Sequence, residues 1–296
     1  MFPNKRELHV RIVGGLGNQL FGYFAGLYLS QVSRRELVLN MKDASRVHSA
    51  FDLHSFKEIS GLRVISARYP SNNKMIRLID SFNYRFPSVS RLINSIAANF
   101  VDDSIQNNTV ISQSSRRKIK LKGYFQDFGY LDRLQNISLT LRTSNQNPIE
   151  NERTLAIHIR RGDFVNEKIS HGCLAVNWYN EAISHQLSAS DSIGHIKIFS
   201  NDDEWVKSNL VGLLPQTSTP VEIVKFDDQE DPAISFMAFA YCRYRVCSNS
   251  TFSLLASKLF PGDTVVPYPY NRSGNFKVLE ESSPKDWIRI PSIWEE

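Results

Sequence analysis

Three short stretches in the second half of the chain carry side chains able to hold a charged ligand. In HIRRGDF (158–164), the adjacent Arg160 and Arg161 bring permanent cations whose planar donor forks suit phosphate or carboxylate. FSNDDEW (199–205) brings Asp202 and Asp203. Their oxygens can accept paired hydrogen bonds from a base edge offering N–H and NH₂ groups, as guanine does. SNSTFS (248–253) brings hydroxyls and the free amides of a helix start, which make an anion site without a metal. Together the three describe a pocket for a nucleoside diphosphate. Each also has a plainer reading: Arg161 paired with Asp163 across a turn, and the acidic and serine residues acting only as helix caps.

Each stretch follows an apolar run rich in β-formers, at Leu155 to Ile159, His195 to Phe199 and Tyr244 to Cys247. These runs read as buried strands, and the chemistry falls at their carboxyl ends, where open α/β sheets hold ligands. Helices are expected from about Val176 to Leu187, after a cap at Ser200 or Asn201, after Pro232, and from Thr251 to Leu259. Val221 to Phe226 is a further strand, ahead of the acidic loop Asp227 to Asp231.

The first half opens in the same way. A strand at His9 to Val13 runs into GGLGNQLF (14–21), with Gly14, Gly15 and Gly17, then Asn18, then a helical apolar pattern from Leu20 to Leu29. Such glycines let backbone amides approach an anion, or serve a tight turn alone. The spacing is neither the dinucleotide fingerprint nor a P-loop. Arg35 to Leu39 and Ile119 to Phe125 read as strands, the second overlapping the basic run RRKIKLK (116–122), which alternates like a strand with one solvated face. Short helices are expected over 75–79 and 88–100. In GYFQDFGYL (123–131) four aromatics stand beside Gln126 and Asp127, a composition that suits a sugar site or a packed interface. The polar stretch from Asn136 to Arg153, with Pro148, is the expected linker. Alternating strands and helices give doubly wound parallel sheets in two domains, 1–148 and 149–296.

With 296 residues and a formal charge of +5, the chain can bury a large core and suits an anionic small molecule better than nucleic acid. Three cysteines without ligand spacing argue against a disulfide scaffold and a zinc site, and favour a reducing compartment. The seven histidines show no ligand spacing either, and no Asp-x-Asp stands in a loop suited to a metal. The amino-terminal residues contain no apolar segment long enough for a signal peptide or a membrane span. Without a secretory signal the sequons at Asn107, Asn136, Asn249 and Asn271 read as chance matches, although a chain trimmed of an anchor would look the same.

These motifs together resemble the inverting α-1,2-fucosyltransferases of the bacterial and eukaryotic galactoside family. The resemblance rests on GGLGNQLF (14–21), HIRRGDF (158–164), FSNDDEW (199–205) and DPAISFMAFAYCRYRVCSNSTFSLLASKL (231–259). It implies a GT-B architecture, two Rossmann-like domains facing across a cleft, with the acceptor mainly on the first half and the donor on the second. It implies GDP-fucose as donor, no cofactor and no divalent cation. The resemblance implies a cytoplasmic enzyme whose acceptor is a galactoside glycan, of the kind built on lipid in O-antigen biosynthesis at the inner face of the membrane. Residue by residue, Arg160 would bind the β-phosphate, His158 would lie against the nucleotide, and Asp163 would hold the loop and Arg161. Asp202 or Asp203 would read the guanine. Ser250, Thr251 and Phe252 would wrap the diphosphate, and Gly14, Gly15, Gly17 and Asn18 would close on it from the other domain. Asp127 is the candidate base, ahead of His48, Asp52 and His54. Leu254 and Leu255 stand where the family often has two tryptophans. Transfer of a related GDP-sugar such as GDP-colitose, transfer to another hydroxyl, and binding without catalysis are the competing readings.

Overall fold

The structure is a computed structural model and describes residues 6–41, 53–60, 62–65, 100–102, 111, 114–141, 152–214, 219–225 and 231–296. Packing divides the chain into two compact units, Met1–Ser49 with Gly61–Phe125 and Ala50–Ser60 with Gln126–Glu296.

In the first unit, β1 (Glu7–Arg11), β2 (Glu36–Asn40), β3 (Arg63–Ile65), β4 (Phe100–Asp102) and β5 (Lys118–Lys122) form a parallel sheet in the order β3-β2-β1-β5-β4. After β1 the chain turns through Gly14 and Gly15 into α1 (Leu16–Ser33). The helix lies so close to the strand that a Cβ on Gly26 would come within 2.5 Å of the Val10 side chain. On β5, Ile119 and Leu121 are buried while Lys118 and Lys120 stay in water, the alternation expected of the basic run.

The second unit holds β6 (Thr154–Ile159), β7 (His195–Ser200), β8 (Val221–Lys225), β9 (Tyr244–Val246), β10 (Asp263–Tyr268) and β11 (Ile288–Pro291). Its parallel sheet runs β11-β10-β9-β6-β7-β8. β6 is buried along its whole length, as a central strand covered on both faces must be. Leu155, Ile157 and Ile159 pack with Trp178, Ala182 and Ile183 of α2 (Val176–Ala189). Further along lie α3 (Pro232–Ala240), capped by Asp231 with Pro232 at its start, and α4 (Thr251–Leu259), capped by Ser250. Leu254 and Leu255 are fully buried in α4, so the change from tryptophan falls within the packing.

Several expectations change. The division lies after Phe125 rather than after residue 148, and 50–60 joins the second unit. The reason is visible in the side chains. The Phe128 ring meets Trp287 edge to face, Lys258 pairs with Asp132, and Phe56 bridges Leu141 and packs against Phe236. The first part of the expected linker, 136–141, is therefore packed, with Leu139 and Leu141 buried. The rest of it, 142–151, and the loop at 227–230 lie outside the described residues. So do the expected helix at 75–79 and most of that at 88–100, while Phe100 begins a strand. All three cysteines are free and buried. Of the sequons, Asn249 and Asn271 are buried, and Asn107 is outside the described residues. Among the described residues, no helix is long and apolar enough to cross a membrane.

Candidate functional site

β9, β6 and β7 are neighbours in the sheet, so parallel pairing brings the three motif loops to one edge. They also touch one another. The Arg161 amide donates to Asn201 Oδ1 at 2.9 Å, joining the β6 and β7 loops. His158 Nδ1 lies 2.8 Å from Ser248 Oγ and 3.0 Å from Ser253 Oγ, joining β6 to the start of α4.

The two arginines do different things. Arg160 is partly exposed, pairs with Asp163 at 2.7 Å, and holds its guanidinium 5.5 Å from the Phe164 ring centroid. Arg161 is almost buried. Its Nε donates to Asp202 Oδ2 at 3.1 Å, its Nη1 donates to Glu295, and its guanidinium lies 4.4 Å from the Trp205 ring centroid. Burial works against its charge, but the bonds to Glu295 and Asp202 prevail and raise its pKa. Asp163 therefore holds Arg160 and not Arg161 as expected. The turn between them runs through Gly162 at φ +27, where a Cβ would come 2.2 Å from Asn201 Nδ2, so only glycine fits.

Asp202 is committed on both oxygens. Oδ1 accepts from the Trp205 amide at 3.1 Å as a helix cap, and Oδ2 takes Arg161. Asp203, at the first helical position, is partly exposed.

His158 is 3% exposed, sandwiched by Phe252, stacked at 5.0 Å, and by Phe239, edge-on at 5.9 Å. Burial, reinforced by the Arg160 charge, lowers its pKa to about 3, so the ring is neutral at ordinary pH. Rather than lying open to a nucleotide, it fastens the β6 end to the helix start. Ser250 is the cap of α4, accepting from the Phe252 amide at 3.3 Å, and Thr251 and Phe252 are partly exposed in its first turn. Such hydroxyls and helix-start amides, like the Arg160 guanidinium, are chemically able to hold an anion.

Asp127 belongs to the second unit, not to the first half as expected. Its Oδ1 accepts from the Gly129 amide at 2.7 Å and closes a turn before the short helix Gly129–Asp132. His48 and Asp52 lie outside the described residues, and His54 falls in the short turn Leu53–Ser55. In the first unit, Gly14 has φ +75, and a Cβ there would come 2.8 Å from Asn18 Nδ2 and 3.3 Å from the Tyr124 ring. Gln19 Nε2 donates to the Gly14 carbonyl at 2.8 Å and holds the turn. Gly15 is the cap position of α1, Gly17 is buried in its first turn, and space for a Cβ remains open at Gly15. Asn201 and Trp205 lie in the FSNDDEW stretch, but their contacts with Arg161, like that of Glu295, left no signal in the sequence, since each joins loops distant along the chain. Among the described residues, no three His, Cys, Asp or Glu side chains group so as to hold a metal ion.

The model of glycosyl transferase family 11 matches residues 115–291. An alpha-1,2-colitosyltransferase of Escherichia coli is 24% identical over 297 residues, 95% of this chain and 97% of that protein. The O-antigen biosynthesis glycosyltransferase WbnK of Escherichia coli is 26% identical over 274 residues, 81% of this chain and 86% of that one. Among solved structures, the fucosyltransferase NodZ from Bradyrhizobium aligns with a TM-score of 0.52 at 16% identity, over 87% of this chain and 93% of that chain. The likeness shows a shared fold, GT-B-like with two Rossmann-like units.

Proposed function

We infer the reaction from the fact that the chain belongs to glycosyl transferase family 11 and is therefore a glycosyltransferase. We propose that it takes a GDP-sugar, GDP-fucose first among them, and transfers the sugar with inversion to the 2-hydroxyl of a galactoside in a surface glycan. The observation that carries this reading is the partly exposed cation after β6, Arg160, on the strand that pairs with β9, whose carboxyl end leads into the hydroxyls and amides that open α4. Departure of GDP builds negative charge on the β-phosphate. Arg160, the Thr251 amide and the Ser250 hydroxyl, which accepts from the Phe252 amide and keeps its own proton to donate, supply fixed positive dipoles and charge for it. A metal supplies that stabilisation in other enzymes, and none is needed here.

Donor cleavage has oxocarbenium character, and the acceptor hydroxyl attacks from the opposite face. Because Asp127 is engaged in a turn through one oxygen, only its other oxygen is left to take the hydroxyl proton. Gly14, Gly15, Gly17 and Asn18 are assigned to the diphosphate and acceptor side in this reading. A second donor, GDP-colitose, is favoured by the match to a colitosyltransferase along nearly the whole chain. The deciding experiment incubates the protein with GDP-fucose or GDP-colitose and a panel of β-galactosides, then assigns the linkage of each product. Transfer to a galactose 2-hydroxyl supports the reading, and the faster donor names the sugar. GDP binding without turnover on any acceptor overturns it in favour of a binding protein.

A further inference from the structure

Arg161 is gripped by two carboxylates of different origin. Asp202 comes from the loop after β7, where its other oxygen is already a helix cap. Glu295 comes from far along the chain, and its backbone is itself tied down. Its amide donates to the Cys173 carbonyl at 2.9 Å, and its carbonyl accepts from Arg272 Nη1 at 3.2 Å. Next to it, Trp294 bridges Leu174 and lies so close to Gly172 that a Cβ there would come 2.9 Å from the indole. Glu295 is thus a fixed group with its carboxylate delivered to a nearly buried guanidinium.

That guanidinium anchors the turn bearing Arg160. With Arg161 held on one side by Asp202, Glu295 and Trp205, its amide reaches Asn201 and the chain reverses through Gly162. The anchor has an electrostatic side as well. Two carboxylates more than neutralise Arg161, so it is not drawn toward an anion bound nearby, and Arg160 is left as the cation that meets one.

We propose that Glu295 is a positioning residue of the transfer reaction, acting through Arg161 to hold the Arg160 turn in its working geometry. The kinetic part of the proposal rests on the glycosyltransferase reading above, and the structural part does not. The test uses the full chain with Glu295→Ala and Glu295→Gln, each alone and with Arg161→Gln, and reads hydrogen exchange, GDP affinity and kcat. In E295A, the amides of residues 161–164 should exchange at least tenfold faster. At the same time kcat should fall about tenfold, with GDP affinity changed less than threefold, because misplacement costs most where charge develops. E295Q keeps an acceptor for Nη1 and should recover most of kcat, and E295A should add less than twofold to the loss in R161Q. Unchanged exchange at 161–164 in E295A overturns the proposal whatever the kinetics show. So does full kcat in E295A, or an equal E295A effect with and without Arg161. Absence of turnover in the parent protein with every GDP-sugar defeats the functional reading instead, and the exchange measurement then decides the role of Glu295 alone.

Discussion

Arg160 and Arg161 are adjacent in the chain, yet their guanidiniums take different partners: one meets Asp163 at 2.7 Å near the surface, the other is locked between Asp202 and Glu295. An ion pair as exposed as Arg160–Asp163 contributes only about 0–1 kcal/mol, so an incoming phosphate can take its place. Arg160→Lys keeps the charge and loses the fork. The protein should fold normally, with kcat down roughly 10²- to 10³-fold, as for removal of a main electrostatic stabiliser, and a smaller loss of GDP affinity. Arg161→Lys should instead lower the melting temperature and, by loosening the turn that bears Arg160, cost only about tenfold in kcat per folded molecule. Turnover, GDP titration and thermal unfolding on both variants check the division, which fails if the two profiles are exchanged.

Asp202 and Asp203 divide in a similar manner. With both Asp202 oxygens committed, Asp202→Asn should lower stability while the preference for GDP over UDP persists. Asp203→Ala should leave the fold intact and cut that preference by about ten- to a hundredfold, the worth of hydrogen bonds to a charged acceptor. Calorimetric titration with both nucleotides decides. If D203A discriminates as well as the parent, the base is read elsewhere.

The parallel character of the sheets and the grouping of the three motif loops were legible because both follow from local pattern. The apolar runs at 155–159, 195–199 and 244–247 could only be buried strands, and parallel pairing then set their polar ends side by side. Pairings set by backbone direction were not legible. A turn was expected to pair Arg161 with Asp163, but the positive φ at Gly162 turns the chain so that Asp163 faces Arg160. Nor does anything near residue 295 announce a partner at Arg161. The domain boundary drawn at the polar, Pro148-containing stretch also missed, because Phe128 and Leu141 already pack with the second unit. Local polarity marks surface, and these apolar contacts are made with residues far away in sequence.

His158 gives the protein a measurable acid sensitivity. Its folded pKa is about 3 against 6.5 for the free side chain, with burial the main cause. Between those values the unfolded chain binds a proton that the folded chain refuses. Stability is therefore complete above pH 6.5 and falls as pH drops toward 3, by about 1.4 kcal/mol per pH unit from this group. His158→Asn should flatten that part of the profile, whatever it does to stability at pH 7. Urea unfolding of both proteins from pH 7 to pH 4 checks it, and parallel slopes refute the assignment.

The absence of a metal from the proposed mechanism is open to direct test. With arginine, hydroxyls and amides assigned to the β-phosphate, transfer should continue at its full rate in excess EDTA and gain nothing from added Mn²⁺ or Mg²⁺. Loss of turnover on chelation, restored by a divalent cation, rejects the phosphate assignment.

Arg245 tests the frame beneath the site. It is fully buried in β9, and its guanidinium hydrogen-bonds to carbonyls: Nη1 donates to Ala240 at 2.8 Å and Nη2 to Phe260 at 2.8 Å. Ala240 ends α3 and Phe260 follows α4, so one cation meets the negative ends of both helices. Gly262 leaves the room, since a Cβ there would come 2.2 Å from Nη2. Burial lowers the Arg245 pKa, and the fixed carbonyls must offset that cost. Arg245→Met strips both carbonyls of their donor inside the core, so the urea midpoint should fall by the equivalent of roughly 3–5 kcal/mol. Arg245→Lys, able to reach one carbonyl well, should fall between the parent and R245M. Because these helix ends lie away from the strand carboxyl ends, GDP affinity of the folded fraction should hold within twofold. A midpoint unchanged in R245M refutes the double cap, and a large loss of GDP affinity in folded R245K would place Arg245 in the site itself.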